Sequence, residues 1–226
     1  MTLGAEHADR RRGETRERRP TVQNGRVDLS GPASHPSGLS MRGRLLVATP
    51  PLGDPTFDRT VVFVLEHTDS GAVGVVLNRA DVAAADLADE FDLDDLNAWE
   101  HLLAPPATIF VGGPVGEDSL IALAEGSGHR EEAWGAVTGT VGTVDLSIAP
   151  DEVADRLSRV RIFRGYAGWA PGQLEGELRL GAWMVFDAID DDLFTDRPSE
   201  LWRTVVRRQG GRLRWIADAP DDLSLN

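Results

Sequence analysis

The sequence contains no cysteine and no lysine, and all 23 of its basic residues are arginine. Without cysteine, the chain has no disulfide bond, thiol chemistry or cysteine-ligated zinc site. Without lysine, it has no Walker-type phosphate lysine, no Schiff base and no lysine general base. It also lacks a secretory-type apolar segment near its N-terminus and any apolar run of the roughly 20 residues that cross a bilayer. We therefore expect a cytoplasmic protein without membrane contact.

The 226 residues carry a formal net charge of -14 and are 41% hydrophobic, which is enough to bury a core. The charge is unevenly distributed along the chain. Residues 1–40 contain seven arginines and five acidic residues, whereas the remainder contains 16 arginines and 32 acidic residues. This excess of negative charge after residue 40 opposes the approach of nucleic-acid phosphates.

Residues 1–40 differ in composition from the rest of the chain. Residues 10–19 are dominated by charge and have no apolar side chain, and residues 30–38 are small, polar and rich in Pro and Gly. Such segments bury too little apolar surface to offset the entropy of ordering. We predict a disordered Arg-rich extension over 1–40 and a single domain over 41–226. The extension could be a nucleic-acid tail, a solvated arm, or residues upstream of a true start at Met41.

Short β-branched and apolar runs separated by turn residues indicate strands. The predicted strands are 45–48, 60–65, 72–77, 108–111, 120–124, 145–149, 161–167 and 182–186. The second and third of these flank a short Gly-containing turn and predict an antiparallel hairpin.

Four segments have helical periodicity. They are 81–103, a helix that begins at Pro150 with Val153, Leu157 and Val160 on its apolar face, 171–180, and a last helix from about Asp196 to Gly210. The strands and helices do not alternate as in βαβ units. This order favours an α+β fold around a largely antiparallel sheet.

Three blocks of the sequence resemble the YqgE/AlgH family of bacterial proteins. They are LLVATPPLGDPTFDRTVVFVLEHTDSGAVGVVLNR (45–79), IFVGGPV (109–115) and RIFRGYAGWAPGQLEGELRLGAW (161–183). The resemblance implies an α+β fold with a bifurcated, partly barrel-like sheet surrounded by helices. The family has no established biochemical activity, and its label is that of a proposed transcriptional regulator of alginate synthesis.

Two candidate anion sites have an alternative structural interpretation. The loop that contains Gly112 and Gly113 follows a strand, so its backbone N–H groups could face an anion; we favour glycines that permit a tight strand crossing. Arg59, Asn78 and Arg79 lie at strand ends that a hairpin brings together, where they could bind a carboxylate or phosphate. The two arginines could equally pair with nearby acidic residues.

Two further candidates concern polar side chains beside strands. His67 as a general base needs a nucleophile and an orienting acid, and Glu66 points to the opposite face of the strand. Tyr166, Trp169 and Gln173 could form an aromatic-walled groove with a polar reader. We favour aromatic core anchors whose polar tips bond to the backbone.

The remaining charged clusters indicate no cofactor and no metal. The five histidines are scattered, and the acidic runs 92–95 and 190–192 lack the glycine and closing glutamate of a calcium loop, so we interpret them as solvated turns.

Three functions follow from these patterns. The first is a non-enzymatic binding or regulatory protein with an unknown protein or small-molecule effector. The second is direct DNA binding through Arg203, Arg207 and Arg208 or through the N-terminal arm. The third is an enzyme or effector-binding protein with a pocket near Arg59, Asn78 and Tyr166. Because no catalytic set is recognisable, we favour the first.

Overall fold

The computed structural model describes residues 22–23, 26–27, 40–50, 56–80, 98–126 and 133–217, the first four by their backbone. The strands are β1 (Val22–Gln23), β2 (Arg26–Val27), β3 (Arg44–Ala48), β4 (Val61–Thr68), β5 (Gly71–Val76), β6 (Phe110–Val111), β7 (Val115–Gly126), β8 (Trp134–Thr138), β9 (Val141–Val144), β10 (Leu157–Trp169) and β11 (Trp183–Asp187). The helices are α1 (Gln173–Arg179), α2 (Asp190–Leu193), α3 (Leu201–Arg208) and α4 (Gly211–Ala217). Short 3-10 turns cover Glu100–Leu102, Pro150–Glu152, Ala154–Arg156 and Pro198–Glu200.

A nine-stranded sheet in the order β11-β3-β4-β5-β10-β7-β9-β8 organises the described chain, with β6 beside β10. All neighbours are antiparallel except β6 and β10. The 13-residue strand β10 belongs to both halves of the sheet: its first part pairs with β7 and its last three residues pair with β5. One long strand therefore joins a half built on β3–β5 to a half built on β7–β9.

The sheet curls until its far strand meets the start of β3. The Arg42 guanidinium donates a hydrogen bond to the carbonyl of Ala136 in β8, and Gly43 lies against the side chain of Thr138. The molecule is thus a curled half-barrel, and a seam runs between residues 42–43 and β8.

Buried apolar side chains cover both faces of the sheet because they alternate along its strands. On one face, helix α3 packs with Leu201, Trp202, Val205 and Val206 against β3, β4 and β5. On the other face, Leu174 of α1 packs with side chains of the same strands. A third cluster lies between β7, β9 and the first part of β10.

The structure confirms the α+β class and the mostly antiparallel sheet, but it corrects the expectation of a sheet surrounded by helices. The described helices are few and short, the longest being the eight-residue α3. None of them is long and apolar enough to cross a membrane.

The predicted helix at Pro150 is wrong. Two 3-10 turns follow Pro150, and Leu157 and Val160 belong to β10, opposite Gly126 and Ala124 of β7. A helix-like spacing of apolar residues yields here to long-range strand pairing, which local pattern does not reveal.

The predicted strand at 145–149 is also wrong. The chain turns at Asp145, whose carboxylate accepts hydrogen bonds from the N–H and hydroxyl of Ser147. This is the local side-chain bonding that favours a turn over a strand. The strand lies earlier, as β9, and pairs with β8; neither β8 nor α2 nor α4 was predicted.

Two predictions concern segments that the structure describes only in part. Of the predicted helix 81–103, residues 81–97 lie outside the described residues, and the remainder contains the 3-10 turn at Glu100–Leu102. Inside the predicted extension, β1 and β2 pair antiparallel, and the other residues of 1–39 lie outside the described residues.

Candidate functional site

The glycine loop is a close crossing between strands. The Gly112 N–H donates to the carbonyl of Arg164 at 2.7 Å, and the Gly112 carbonyl accepts from Val76 at 2.9 Å. A Cβ at Gly112 would lie 2.2 Å from the Gly165 oxygen, and one at Gly113 would lie 2.3 Å from the Tyr166 backbone. Both glycines therefore allow two backbones to touch, and the Gly112 N–H is not available to an anion.

The hairpin brings Arg59 and Asn78 together, and the Asn78 side chain contacts the backbone of Arg59 and not its guanidinium. The Asn78 side chain accepts a hydrogen bond from the Val61 N–H and donates one to the Arg59 carbonyl, both at 2.9 Å. The Arg59 guanidinium lies over the Trp202 ring, 5.6 Å from its centroid. Arg79 follows Asn78, and its carbonyl accepts a hydrogen bond from the strand β6. The Asn78 amide therefore joins the ends of two strands.

Tyr166 and Trp169 do not form one groove. They are three residues apart on β10, and Tyr166 packs on the α3 face whereas Trp169 packs on the α1 face. The Gln173 amide accepts from the Ala170 N–H and donates to Glu177.

The Glu177 carboxylate accepts hydrogen bonds from the polar side chains of this region. Its Oε2 accepts hydrogen bonds from the indole N–H groups of Trp169 and Trp183 at 2.9 and 2.7 Å, and its Oε1 accepts from Gln173 at 2.9 Å. The tryptophans are core anchors, as the favoured interpretation expects, but their shared partner is a carboxylate and not the backbone.

His67 has hydrogen bonds at both ring nitrogens. Nδ1 accepts from the backbone N–H of Met41 at 3.0 Å, so the proton lies on Nε2, which donates to Glu175 at 3.0 Å. The orienting acid that sequence reasoning sought is thus Glu175, which lies 108 residues away in the chain. No sequence pattern links these two residues.

A bulge in β4 decides which face of the sheet Glu66 and His67 each occupy. Val64 lies opposite Gly74 and Glu66 lies opposite Val73, so β4 contains one extra residue, Leu65. The bulge places Glu66 on the same face as Val73, and His67 lies on the other face, opposite Ala72.

A cavity of about 390 Å³ opens beside Glu66 at the seam of the half-barrel. It is lined by Ser40, Arg42, Glu66 and His67 on one side and, on the other, by residues 136–139, which are the end of β8 and the start of the β8–β9 turn. Sequence analysis did not single out Ser40 or Arg42, because only the curl of the sheet brings residues 40–42 near residues 136–139.

Glu66 is only 5% exposed and is incompletely hydrogen bonded. Its Oε1 accepts from the His67 N–H at 3.1 Å, and its Oε2 has no hydrogen-bond donor among the described residues. Burial raises the pKa of Glu66, against the opposing effects of the Arg42 charge and the His67 N–H. The Nε of Arg42 is buried and has no partner within the described ranges.

The predicted arginine patch on α3 is largely engaged within the protein. Arg208 forms a bidentate ion pair with Asp192, both contacts at 2.8 Å, and this hydrogen bonding raises the pKa of Arg208. Arg203 donates to the Ala217 carbonyl at 3.0 Å, and Arg207 is exposed near the end of the helix. The patch therefore does not present three unengaged cations.

The interpretation of 190–192 as a solvated turn is wrong for Asp192. It is 2% exposed, and besides Arg208 it accepts a hydrogen bond from the Ile189 N–H at the start of α2. Composition could not reveal a cation 16 residues further along the chain. The acidic run 92–95 lies outside the described residues.

Sequence reasoning also missed a buried arginine in β10. Arg161 is 1% exposed and donates to the carbonyls of Leu193, Pro105 and Thr195 at 3.2, 2.6 and 2.8 Å. Its guanidinium lies over the Phe110 ring, 4.4 Å from the centroid. Burial, with a smaller effect of the neighbouring Arg159, lowers the pKa of Arg161 to about 10.

No group of three His, Asp or Glu side chains within the described ranges could hold a metal ion.

Comparison with known proteins places the chain in one family. The AlgH-like family model (DUF179) matches residues 45–214. A UPF0301 protein of Streptomyces coelicolor is 46% identical over 192 residues, which cover 83% of this chain and 96% of that protein. A UPF0301 protein of Thermobifida fusca is 43% identical over 204 residues, or 85% and 99% of the two chains.

Two solved structures share the fold. The crystal structure of protein DIP2367 from Corynebacterium diphtheriae is 26% identical with a TM-score of 0.72, over 80% of this chain and 93% of that one. The solution structure of the AlgH protein from Pseudomonas aeruginosa is 27% identical with a TM-score of 0.59, over 85% and 100%. The chain described here belongs to the AlgH-like family of uncharacterised UPF0301 proteins.

Proposed function

We propose that this protein is a non-enzymatic binding protein with a regulatory role, and that it holds a small molecule in the cavity between Arg42, Glu66 and the β8–β9 turn. The observation that carries the proposal is the Glu66 carboxylate, which is buried beside the cavity and has one oxygen that accepts no hydrogen bond from the described part of the chain. Burial withdraws this carboxylate from part of its hydration, and the desolvation penalty disfavours its charged form. A ligand that donates to it removes that penalty.

A non-enzymatic role is supported by the engagement of the other candidate groups. Both nitrogens of His67, both ends of the Asn78 amide and both ends of the Gln173 amide are hydrogen bonded within the protein. A general base needs a nitrogen or oxygen within reach of a substrate proton. These side chains act instead as connections between backbone segments.

Ligand binding in the cavity would affect the opposite face of the sheet through a chain of hydrogen bonds. Glu66 accepts from the backbone N–H of His67, and the His67 ring contacts Glu175 on α1. A ligand that moves the Glu66 carboxylate therefore acts on the segment that positions α1. This route supports a regulatory output on that face.

The other two functions have less support. A pocket near Arg59, Asn78 and Tyr166 would need the Asn78 amide, which bridges β4 and β5. Direct DNA binding through Arg203, Arg207 and Arg208 would need Arg208 to leave the buried Asp192.

The test is thermal unfolding of the full chain with a library of organic acids, amino acids, sugar phosphates and nucleotides. We expect a compound that raises the Tm of the wild type but not of Glu66→Gln. Glu200→Gln, an exposed carboxylate on a 3-10 turn away from the cavity, is the matched control. Compounds that stabilise all three proteins alike would contradict the cavity as the site, and chemical conversion of a bound compound would contradict the non-enzymatic role.

A further inference from the structure

Two side chains of opposite formal charge line the cavity, Glu66 and Arg42. The Oε2 of Glu66 accepts no hydrogen bond from the described residues, and the structure records no ion pair between Glu66 and Arg42. One terminal nitrogen of Arg42 donates to the Ala136 carbonyl on the other side of the seam, and its Nε is buried. The cavity therefore presents a carboxylate and a guanidinium that are not paired with each other.

The combination selects against ligands with a single charge. An anion would be attracted by Arg42 but repelled by the Glu66 carboxylate at short range. A cation would be attracted by Glu66 but repelled by Arg42. At the short distances inside such a cavity these like-charge contacts are unfavourable. A molecule that carries both an ammonium and a carboxylate satisfies both protein groups at once.

The lining also limits the size and type of the ligand. A volume of about 390 Å³ is near the lower end of small-molecule pockets, which span roughly 300–1,000 Å³. The described lining includes no Phe, Tyr or Trp, and the His67 ring is held by two hydrogen bonds. A nucleobase would therefore lack the aromatic stacking surface that proteins commonly use for bases.

We propose that the cavity binds a free α-amino acid, whose ammonium contacts Glu66 and whose carboxylate contacts Arg42. This inference rests on the proposed function, because it specifies the ligand of the same cavity. The Ser40 hydroxyl lies between the two halves of the site: it accepts from the Arg42 N–H and donates to the His67 carbonyl. It thereby fixes the backbone that carries Arg42 relative to the end of β4.

The experiment is isothermal titration calorimetry of the full chain with each of the twenty standard amino acids. Ethylamine and propionate serve as fragments, because each is L-alanine with one charged group removed. We expect at least one amino acid to bind, and both fragments to give no measurable binding. Glu66→Gln and Arg42→Gln should each weaken that binding about tenfold or more, since each removes a charge-assisted hydrogen bond. Glu200→Gln should stay within twofold of the wild type.

Circular dichroism of each variant shows whether it is folded, and Arg42→Gln provides a second variant in case Glu66→Gln is not. Equal binding of a fragment and an amino acid, or amino-acid binding unchanged in both variants, would overturn the inference. If no amino acid binds while another library compound binds in a Glu66-dependent manner, the amino-acid inference fails and the proposed function stands. If no compound of either set binds in a Glu66-dependent manner, both fail.

Discussion

The two halves of the sheet bury ionisable side chains in opposite ways. In the half built on β7–β9, Arg161 of β10 is 1% exposed, and three backbone carbonyls and one phenyl ring surround its guanidinium. In the half built on β3–β5, Glu66 of β4 is 5% exposed, accepts one hydrogen bond from the residues that the structure describes and borders a cavity.

The comparison distinguishes Arg161, a buried charge with a structural role, from Glu66, a buried charge that is available to a ligand. The three carbonyls around Arg161 offset part of the loss of water, although burial still lowers its pKa to about 10 and its Nε has no partner among the described residues. These bonds fasten the segments at 105 and 193–195 to the sheet. Glu66 accepts only one hydrogen bond from the described residues, and burial raises its pKa. If this distinction is correct, removal of the two charges must have effects of opposite sign at neutral pH.

The largest effect is expected for Arg161→Ala. The substitution leaves three carbonyls without a donor and opens a void under Phe110, so we expect a loss of about 3–5 kcal/mol in the free energy of unfolding. Urea denaturation measures it. The control is Arg156→Ala, an exposed arginine in the turn before β10, which should change stability by less than about 0.5 kcal/mol. Similar small losses for both variants would show that Arg161 is not a structural clamp.

A smaller loss, about 2 kcal/mol, is expected for Arg208→Ala. Asp192 would lose its bidentate partner while remaining buried, although the partial exposure of Arg208 weakens the pair. The double variant Arg208→Ala with Asp192→Asn should recover part of the loss, because it removes the unpaired charge. Arg212→Ala, exposed on α4, is the control. A double variant less stable than Arg208→Ala would contradict a penalty from the unpaired carboxylate.

The sequence was sufficient where local pattern and tertiary structure agree. The β4–β5 hairpin and the strand at 183–187 followed from β-branched runs and turn residues, and the burial of α3 followed from its spacing. The first part of β10 could not be predicted in this way, because Leu157 is extended by its pairing with residue 126, on a distant part of the chain. The β8–β9 pair is short and Gly-rich, so its pattern was weak.

The candidate site, like the fold, could be predicted from the sequence only in part. Alternation along β4 correctly indicates that Glu66 and His67 face opposite sides, and His67 was identified as notable. Alternation could not show that a bulge at Leu65 moves Glu66 to the face of Val73. Nor could it show that the sheet curls to bring Arg42 to β8. Both features depend on contacts between residues far apart in sequence.

The smallest predicted effect is the pH dependence that Glu66 contributes. Burial raises its pKa above the usual 4.5, so the folded protein binds this proton more tightly than the unfolded chain does. The corresponding stability is complete below pH 4.5 and is lost as the pH rises through the folded pKa. Glu66→Gln lacks this loss, so the stability of the wild type relative to the variant should fall with rising pH and be negative at pH 7.

Urea denaturation of both proteins in steps from pH 4 to pH 7 measures this difference, with Glu200→Gln as the exposed control. A difference that rises with pH would mean that the Arg42 charge outweighs burial at Glu66, which would remove the contrast with Arg161. Repeating the series with a saturating ligand sharpens the comparison. An ammonium beside Glu66 favours its ionised form, so the fall with pH should diminish only if the bound group is a cation.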